Sequence, residues 1–304
     1  MNRKDLALGL LAVTVWGVNF TVIKLGLAGM PPLVLASLRF VFAAVPALLF
    51  VRPPAVSARY WVTYGFLVGV GQFGGLFYAM HIGMPAGIAS VVMQSQPFFT
   101  LAFAAVLLQE SVSRSQIVGL CVAALGLILV GQSGNGAALL AIPPAAFLLT
   151  LAAAAFWGMS NIVVRKASAA AAAQGKQLDM LSLVVWGSLV PPIPLFLLAC
   201  LLDTPETVIR AVSSLSTLSV FSILYIAYGA TLFGFSTWSK LLARHPTHQV
   251  APLSLLVPVT GLITAWLVLG ERLALLQGIG CVLILLGLLV STFGFPKLRK
   301  PSSD

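Results

Sequence analysis

Polar side chains inside long apolar runs need a chemical account, because nothing around them replaces water unless a partner is supplied. In this 304-residue chain they are few. Asn19, Gln94, Gln96 and Asn161 offer amides, which donate and accept hydrogen bonds at once. Lys24 and Arg39 are cations that fall within apolar runs. At a helical spacing, Trp16, Asn19, Phe20 and Ile23 share one face, and Trp157, Ser160, Asn161 and Val164 share another. Two such faces can frame a cavity with aromatic walls and a few amides, a setting that suits a small molecule with one apolar and one polar end. The competing account is that Asn19 and Asn161 simply hold helices together.

Gln94 and Gln96 stand about 200° apart on a regular helix, so both face one cavity only if Pro97 distorts the chain there. Gln94 is the candidate ligand of the pair. Pro97 and Pro258 occupy matching points in two apolar runs, as hinges or as fixed bends. Lys24, near a run end, either snorkels to the surface or attracts a carboxylate. Arg39 sits deeper and is expected to bond helix-end carbonyls or an amide. Tyr78, Tyr225 and Tyr228 are candidates for the cavity wall or for the membrane interface.

Other chemistries lack their parts. The carboxylates Asp5, Glu110, Asp179, Asp203, Glu206, Glu271 and Asp304 all fall in connections or at run ends, where none serves as a mid-membrane proton carrier. Facilitated or exchange transport is therefore expected over carboxylate-based proton antiport. An enzyme acting on lipid precursors needs clustered His, Asp or Glu, and His245 with His248 has no buried carboxylate beside it. No GxxxxGK[ST] phosphate loop occurs, and Gly131–Gly136 reads as a flexible turn. Cys121, Cys200 and Cys281 are odd in number and form no CxxC pair, so neither a disulfide framework nor a zinc site is expected, and no cofactor is expected. Nor is a nucleic-acid partner, although the net charge is +10: no basic stretch mixes with stacking aromatics in a polar setting.

These residues must be positioned by membrane helices. Of the chain, 60% is hydrophobic and 8% charged, far from the balance of a soluble domain. Apolar runs of about 20 residues recur from end to end, long enough to span a bilayer as helices. Ten are predicted: 6–27, 32–51, 61–80, 86–108, 116–130, 144–164, 178–202, 215–238, 249–269 and 273–293. The Ala/Gly-rich stretch Ser168–Gly175 is expected to be a linker. Alternate connections collect Arg3, Lys4, Arg52, Arg59, Arg114, Arg165, Lys166, Lys176, Lys240, Arg244, Lys297, Arg299 and Lys300, against Arg210 and Arg272 opposite. The bias places both termini in the cytoplasm of a multi-pass inner-membrane protein.

The halves also repeat. Trp16-Gly17-Val18-Asn19 aligns with Trp157-Gly158-Met159-Ser160, and Pro97, Glu110, Gln116, Gly119 and Gly126 align with Pro258, Glu271, Gln277, Gly280 and Gly287. The change of offset predicts extra residues around Asp203–Ser214. Five helices per half is an odd number, so consecutive halves must lie in opposite orientations. That gives an all-α membrane protein of two inverted repeats around a central cavity, an arrangement suited to exposing one site to either side. The expected division is 1–132 for the first repeat, 144–296 for the second, and 297–304 for a basic tail.

The Trp-Gly-x-Asn start at Trp16, the Pro31–Phe40 run, and the Gln109-Glu110 and Gly270-Glu271-Arg272 elements resemble the EamA family of the drug/metabolite transporter superfamily. The similarity covers nearly the whole chain. Met84–Gln96 and Ala251–Gly261 resemble bacterial amino-acid and O-acetylserine/cysteine exporters. The resemblance implies ten helices, a central cavity and export of amino acids or related metabolites, with lipid as the other partner. Lipophilic drugs are a second substrate class that aromatic walls would admit. A channel or scaffold role is a third reading. Phosphorylated sugars or nucleotides would want more cations than Lys24 and Arg39. One chain carrying both halves can work as a monomer.

Overall fold

The structure is a computed structural model that describes residues 1–132 and 142–294. Among the described residues, ten helices are long and apolar enough to cross a membrane. They are α1 (Arg3–Leu27), α2 (Pro32–Leu49), α3 (Ala58–His81), α4 (Ala86–Leu107), α5 (Arg114–Gln132), α6 (Pro144–Ala172), α7 (Met180–Leu202), α8 (Thr217–Arg244), α9 (Pro252–Leu269) and α10 (Leu275–Phe293). In lipid every backbone polar group needs an internal partner, which is why so apolar a chain resolves into helices. Prolines open the first turns of α2 and α6, where no helical N–H is needed. Asp179 accepts from the backbone N–H of Leu181 and Ser182 to start α7, and Gly270, at φ 68°, ends α9. The tail from 297 and part of the Gly131–Gly136 turn lie outside the described residues.

Two expectations need revision. Ser168–Gly175 is mostly not a linker: α6 runs through Ala172, because alanine is the best helix former and Ala167 and Ala171 are buried. The extra length of the second half is accordingly shared. Part is this extension of α6, and part is a short helix, Pro205–Ser213, where additional residues are expected.

Helix packing carries the repeat into three dimensions. α1 packs on α9 as α6 packs on α4, and α5 packs along α10. Glycines set these approaches. A Cβ on Gly17 would stand 2.7 Å from the Val257 carbonyl oxygen, and one on Gly158, its counterpart, 3.1 Å from that of Gln96. At the α5–α10 seam, a Cβ on Gly119 would meet the Gly287 oxygen at 2.5 Å, and one on Gly126 the Gly280 oxygen at 2.6 Å. The reverse distances, 2.5 Å and 2.7 Å, make the seam its own image when the helices are exchanged. Residue 119 faces 287 while 126 faces 280, so the two helices run antiparallel.

Apart from a 3₁₀ turn at Ala47–Leu49 that ends α2, the departures from the α-helix among the described residues also come in matched pairs. π-helical segments occupy Phe66–Gly74 in α3 and Tyr225–Phe233 in α8. Such segments are rare and concentrate at functional sites. A 3₁₀ turn at Met93–Ser95 precedes the later part of α4, and another at Ala251–Leu255 opens α9. Pro97 and Pro258 fall in the first turn after each, where a missing N–H costs little.

The main hydrophobic core fills the half of the bundle away from the chain termini. Ile23, Leu33, Leu35, Phe77, Met80, Met84 and Ile88 are buried there.

Candidate functional site

A cavity of about 420 Å³ occupies the middle of the bundle and reaches into the half nearer the termini. α1 contributes Trp16, Asn19 and Phe20; α4 contributes Gln94, Gln96 and Pro97; α6 contributes Trp157 and Asn161. Its volume lies in the range of small-molecule sites, and its wall is mostly apolar with a few polar groups, as such sites generally are.

The aromatic side is fixed by one hydrogen bond. Trp16 Nε1 donates to the Ala230 carbonyl at 2.8 Å. Ala230 lies in the π-helical segment of α8, where the altered ladder leaves carbonyls free to accept. The Trp16 ring then packs against Phe235 and Trp238, with centroids 5.7 Å and 5.2 Å away.

The amide side is fixed by the distorted turns. Because the chain is 3₁₀ at Met93–Ser95, Gln94 and Gln96 both line the cavity, the outcome that a regular helix forbids. Gln94 Nε2 donates to the Ser254 carbonyl at 3.2 Å, joining the 3₁₀ turn of α4 to that of α9. Asn161 Nδ2 donates to Gln96 Oε1 at 2.8 Å and to Thr100 Oγ1 at 3.1 Å, so it both holds α6 to α4 and lines the cavity. Asn19 lines it too, 7% exposed, and its Oδ1 has no donor within reach among the described residues.

Three candidates are placed elsewhere. Lys24 donates to the Met80 carbonyl at 2.6 Å, outside the cavity, and Tyr78 packs at the core margin beside His81. Pro258 is buried between helices. Both tyrosines of α8 also stand away: Tyr225 donates to the Val15 carbonyl at 3.0 Å, and Tyr228 is exposed. Arg39, expected to bond carbonyls or an amide, instead donates from Nη2 to the Thr231 hydroxyl at 2.7 Å, with its guanidinium carbon 3.8 Å from the Phe73 ring centroid. Gln72 is a lining residue that sequence reasoning does not single out. A lone amide in the apolar, glycine-rich run Phe66–Gly74 is the signal that marks it.

Charged contacts lie at both ends of the bundle. On the side of the termini, Asp5 meets His245 Nε2 at 2.7 Å and Arg244 at 3.7 Å, and Arg165 pairs with Glu110. On the opposite side, Glu271 accepts from the backbone N–H of Ala86 at 2.8 Å and of Gly87 at 2.9 Å. A carboxylate at a helix N-terminus is held by those donors and by the helix dipole together. Among the described residues no group of three or more His, Cys, Asp or Glu is placed to hold a metal ion.

Ten helices long and apolar enough to cross a membrane, among the described residues, surround a central cavity, an arrangement suited to a small-molecule carrier. Residues 4–132 and 144–293 match the EamA-like transporter family, and the chain belongs to that family. It is 44% identical over 296 residues to a probable amino-acid metabolite efflux pump of Salmonella typhimurium (strain LT2), covering 97% of each chain. A protein of the same description from Escherichia coli (strain K12) is 43% identical over 97% of this chain and 96% of its own. A solved crystal structure at 19% identity superposes with a TM-score of 0.60 over 96% of this chain and 98% of its own, which speaks for the fold.

Proposed function

We propose that the protein exports amino acids or related small metabolites across the bacterial inner membrane by alternating access, as facilitated or exchange transport. The observation that carries this reading is the central cavity, whose indole walls and amide edge match a molecule with an apolar side chain and a polar backbone. The efflux-pump description of the two similar relatives supports it. In this reading residues 1–132 and 144–296 are the two repeats, 297–304 is a cytoplasmic tail, and the substrate touches Trp16, Asn19, Gln94, Trp157 and Asn161.

With both termini in the cytoplasm, the cavity faces inward and the packed core seals the periplasmic side. Glu271 holds that seal by capping α4. Its repeat counterpart Glu110 pairs with Arg165 instead, and the two carboxylates exchange roles in the outward-facing state. Pro97 and Pro258 mark the hinge points. The orientation is checked by placing single cysteines at Ser57 and Ser214: a membrane-impermeant thiol reagent on whole cells is expected to label the second and spare the first.

The function is tested by counterflow in proteoliposomes preloaded with unlabelled amino acids, following a labelled one. Saturable accumulation that disappears in Asn19→Ala is expected. Absence of counterflow for every amino acid, with lipophilic cations transported instead, would replace this reading with drug export.

A further inference from the structure

We propose that Arg39 is the carboxylate anchor of the transported molecule, so that the cavity selects compounds with a free carboxylate over neutral or purely cationic ones. The inference rests on the amino-acid reading above and names the group that would enforce it.

Arg39 stands in the cavity wall and is 2% exposed. A guanidinium keeps its charge, and a buried charge without a partner is among the most costly features a fold can carry. The ion pairs among the described residues involve Asp5 and Glu110, and neither of them reaches Arg39. Its Nη2 donates to Thr231, while Nε and Nη1 have no acceptor among the described residues. The rings of Phe73 and Phe40, with centroids 3.8 Å and 4.6 Å from the guanidinium carbon, soften the burial through cation–π attraction. They offer no acceptor to its N–H groups, so Nε and Nη1 stay buried and unpaired among the described residues. Nη2 has two hydrogens, so whichever one Thr231 takes, the other still forms a fork with Nε or with Nη1. That fork matches two carboxylate oxygens in one plane.

The same wall holds the opposite kind of orphan. Asn19 Oδ1 and Gln72 Oε1 are buried acceptors with no donor among the described residues, and both side chains line the cavity. A substrate ammonium supplies the donors they lack. Unused donors on a cation and unused acceptors on two amides, around one cavity, are the complement of a zwitterion. Gln72 and Phe73 belong to the π-helical segment of α3, and Thr231 to that of α8. A carboxylate that reaches Arg39 must therefore part the wall that encloses the guanidinium edge, and both irregular segments contribute to that wall.

A purely structural Arg39, tying α2 to α8 through Thr231, would leave ligand choice unmoved, and that separates the two accounts. Trp16, Trp157 and Trp238 line the cavity, so tryptophan fluorescence of the purified full chain reports its occupancy. The probes are leucine, 4-methylpentanoate, leucinamide and 3-methylbutylamine, which share one side chain and differ in the two charged groups. The wild type is expected to bind leucine and 4-methylpentanoate at least about tenfold more tightly than the amide and the amine. Arg39→Gln should bring the four together, and Arg39→Lys should retain part of the preference. Leucinamide binding as tightly as leucine to the wild type, or a preference for acids surviving in folded Arg39→Gln, would overturn the assignment. Should Arg39→Gln fail to fold, the wild-type series and Arg39→Lys decide it. Acid preference without counterflow of any amino acid keeps Arg39 as a carboxylate site and removes the amino-acid reading. Counterflow in which leucine and leucinamide compete equally does the reverse.

Discussion

At the scale of single residues, the cavity is held by hydrogen bonds that join helices from different halves of the chain. Asn161 reaches Gln96 and Thr100, Gln94 reaches Ser254, and Trp16 reaches Ala230. Cutting one such bond leaves a buried group unpaired. Gln96→Ala removes the acceptor at 2.8 Å from Asn161 and is expected to cost about 1–3 kcal/mol, read as a lower midpoint of thermal unfolding in detergent. An unchanged midpoint would mean that Asn161 has an adequate second partner in Thr100. Much of this site was legible from residue types: Trp16, Asn19, Gln94, Trp157 and Asn161 all reach the cavity. Lys24 and Tyr78 lie outside this cavity because a polar group near a helix end can satisfy itself on a neighbouring carbonyl or at the core margin, and spacing along one helix does not reveal that neighbour. Arg39 was visible as a buried cation, but its aromatic cover comes from its own helix and from α3, which only the fold brings together.

At the scale of elements, helices sit where glycine lets backbones approach. Gly119→Leu would drive a side chain into the Gly287 carbonyl, whose oxygen lies only 2.5 Å from the point a Cβ would occupy. A loss of at least about 1–3 kcal/mol is expected, as for other overpacked contacts. Gly278→Ala is the control, since among the described residues nothing lies within 4 Å of a Cβ there. It is expected to be neutral or to stabilise by up to about 1 kcal/mol through helix propensity. Equal midpoints for the two variants would show that the α5–α10 seam tolerates separation. Composition revealed the ten spans because a bilayer leaves an apolar chain few alternatives. It did not reveal the π-helical segments, whose residues read as ordinary helix and whose register is imposed by packing between α3, α8 and their neighbours. The full length of α6 was missed for the opposite reason: an alanine run that looks like a spacer is also the best helix former available.

At the scale of the molecule, the pairing of α1 with α9 and of α6 with α4 means that neither set of five helices completes its own packing. Each set offers the other the surface it lacks, and at the α5–α10 seam the offer is reciprocal down to individual glycines. Covalent continuity between the sets is then expected to be dispensable. Cells that make residues 1–132 and 142–304 as separate polypeptides are expected to recover a carrier that co-purifies and transports, whereas either piece alone should be degraded. Failure of the pieces to associate would mean that the seam and the cross-packed helices form only when tethered. Success would show that each half carries, in the surface it presents, all that the other needs to find and complete it within the bilayer.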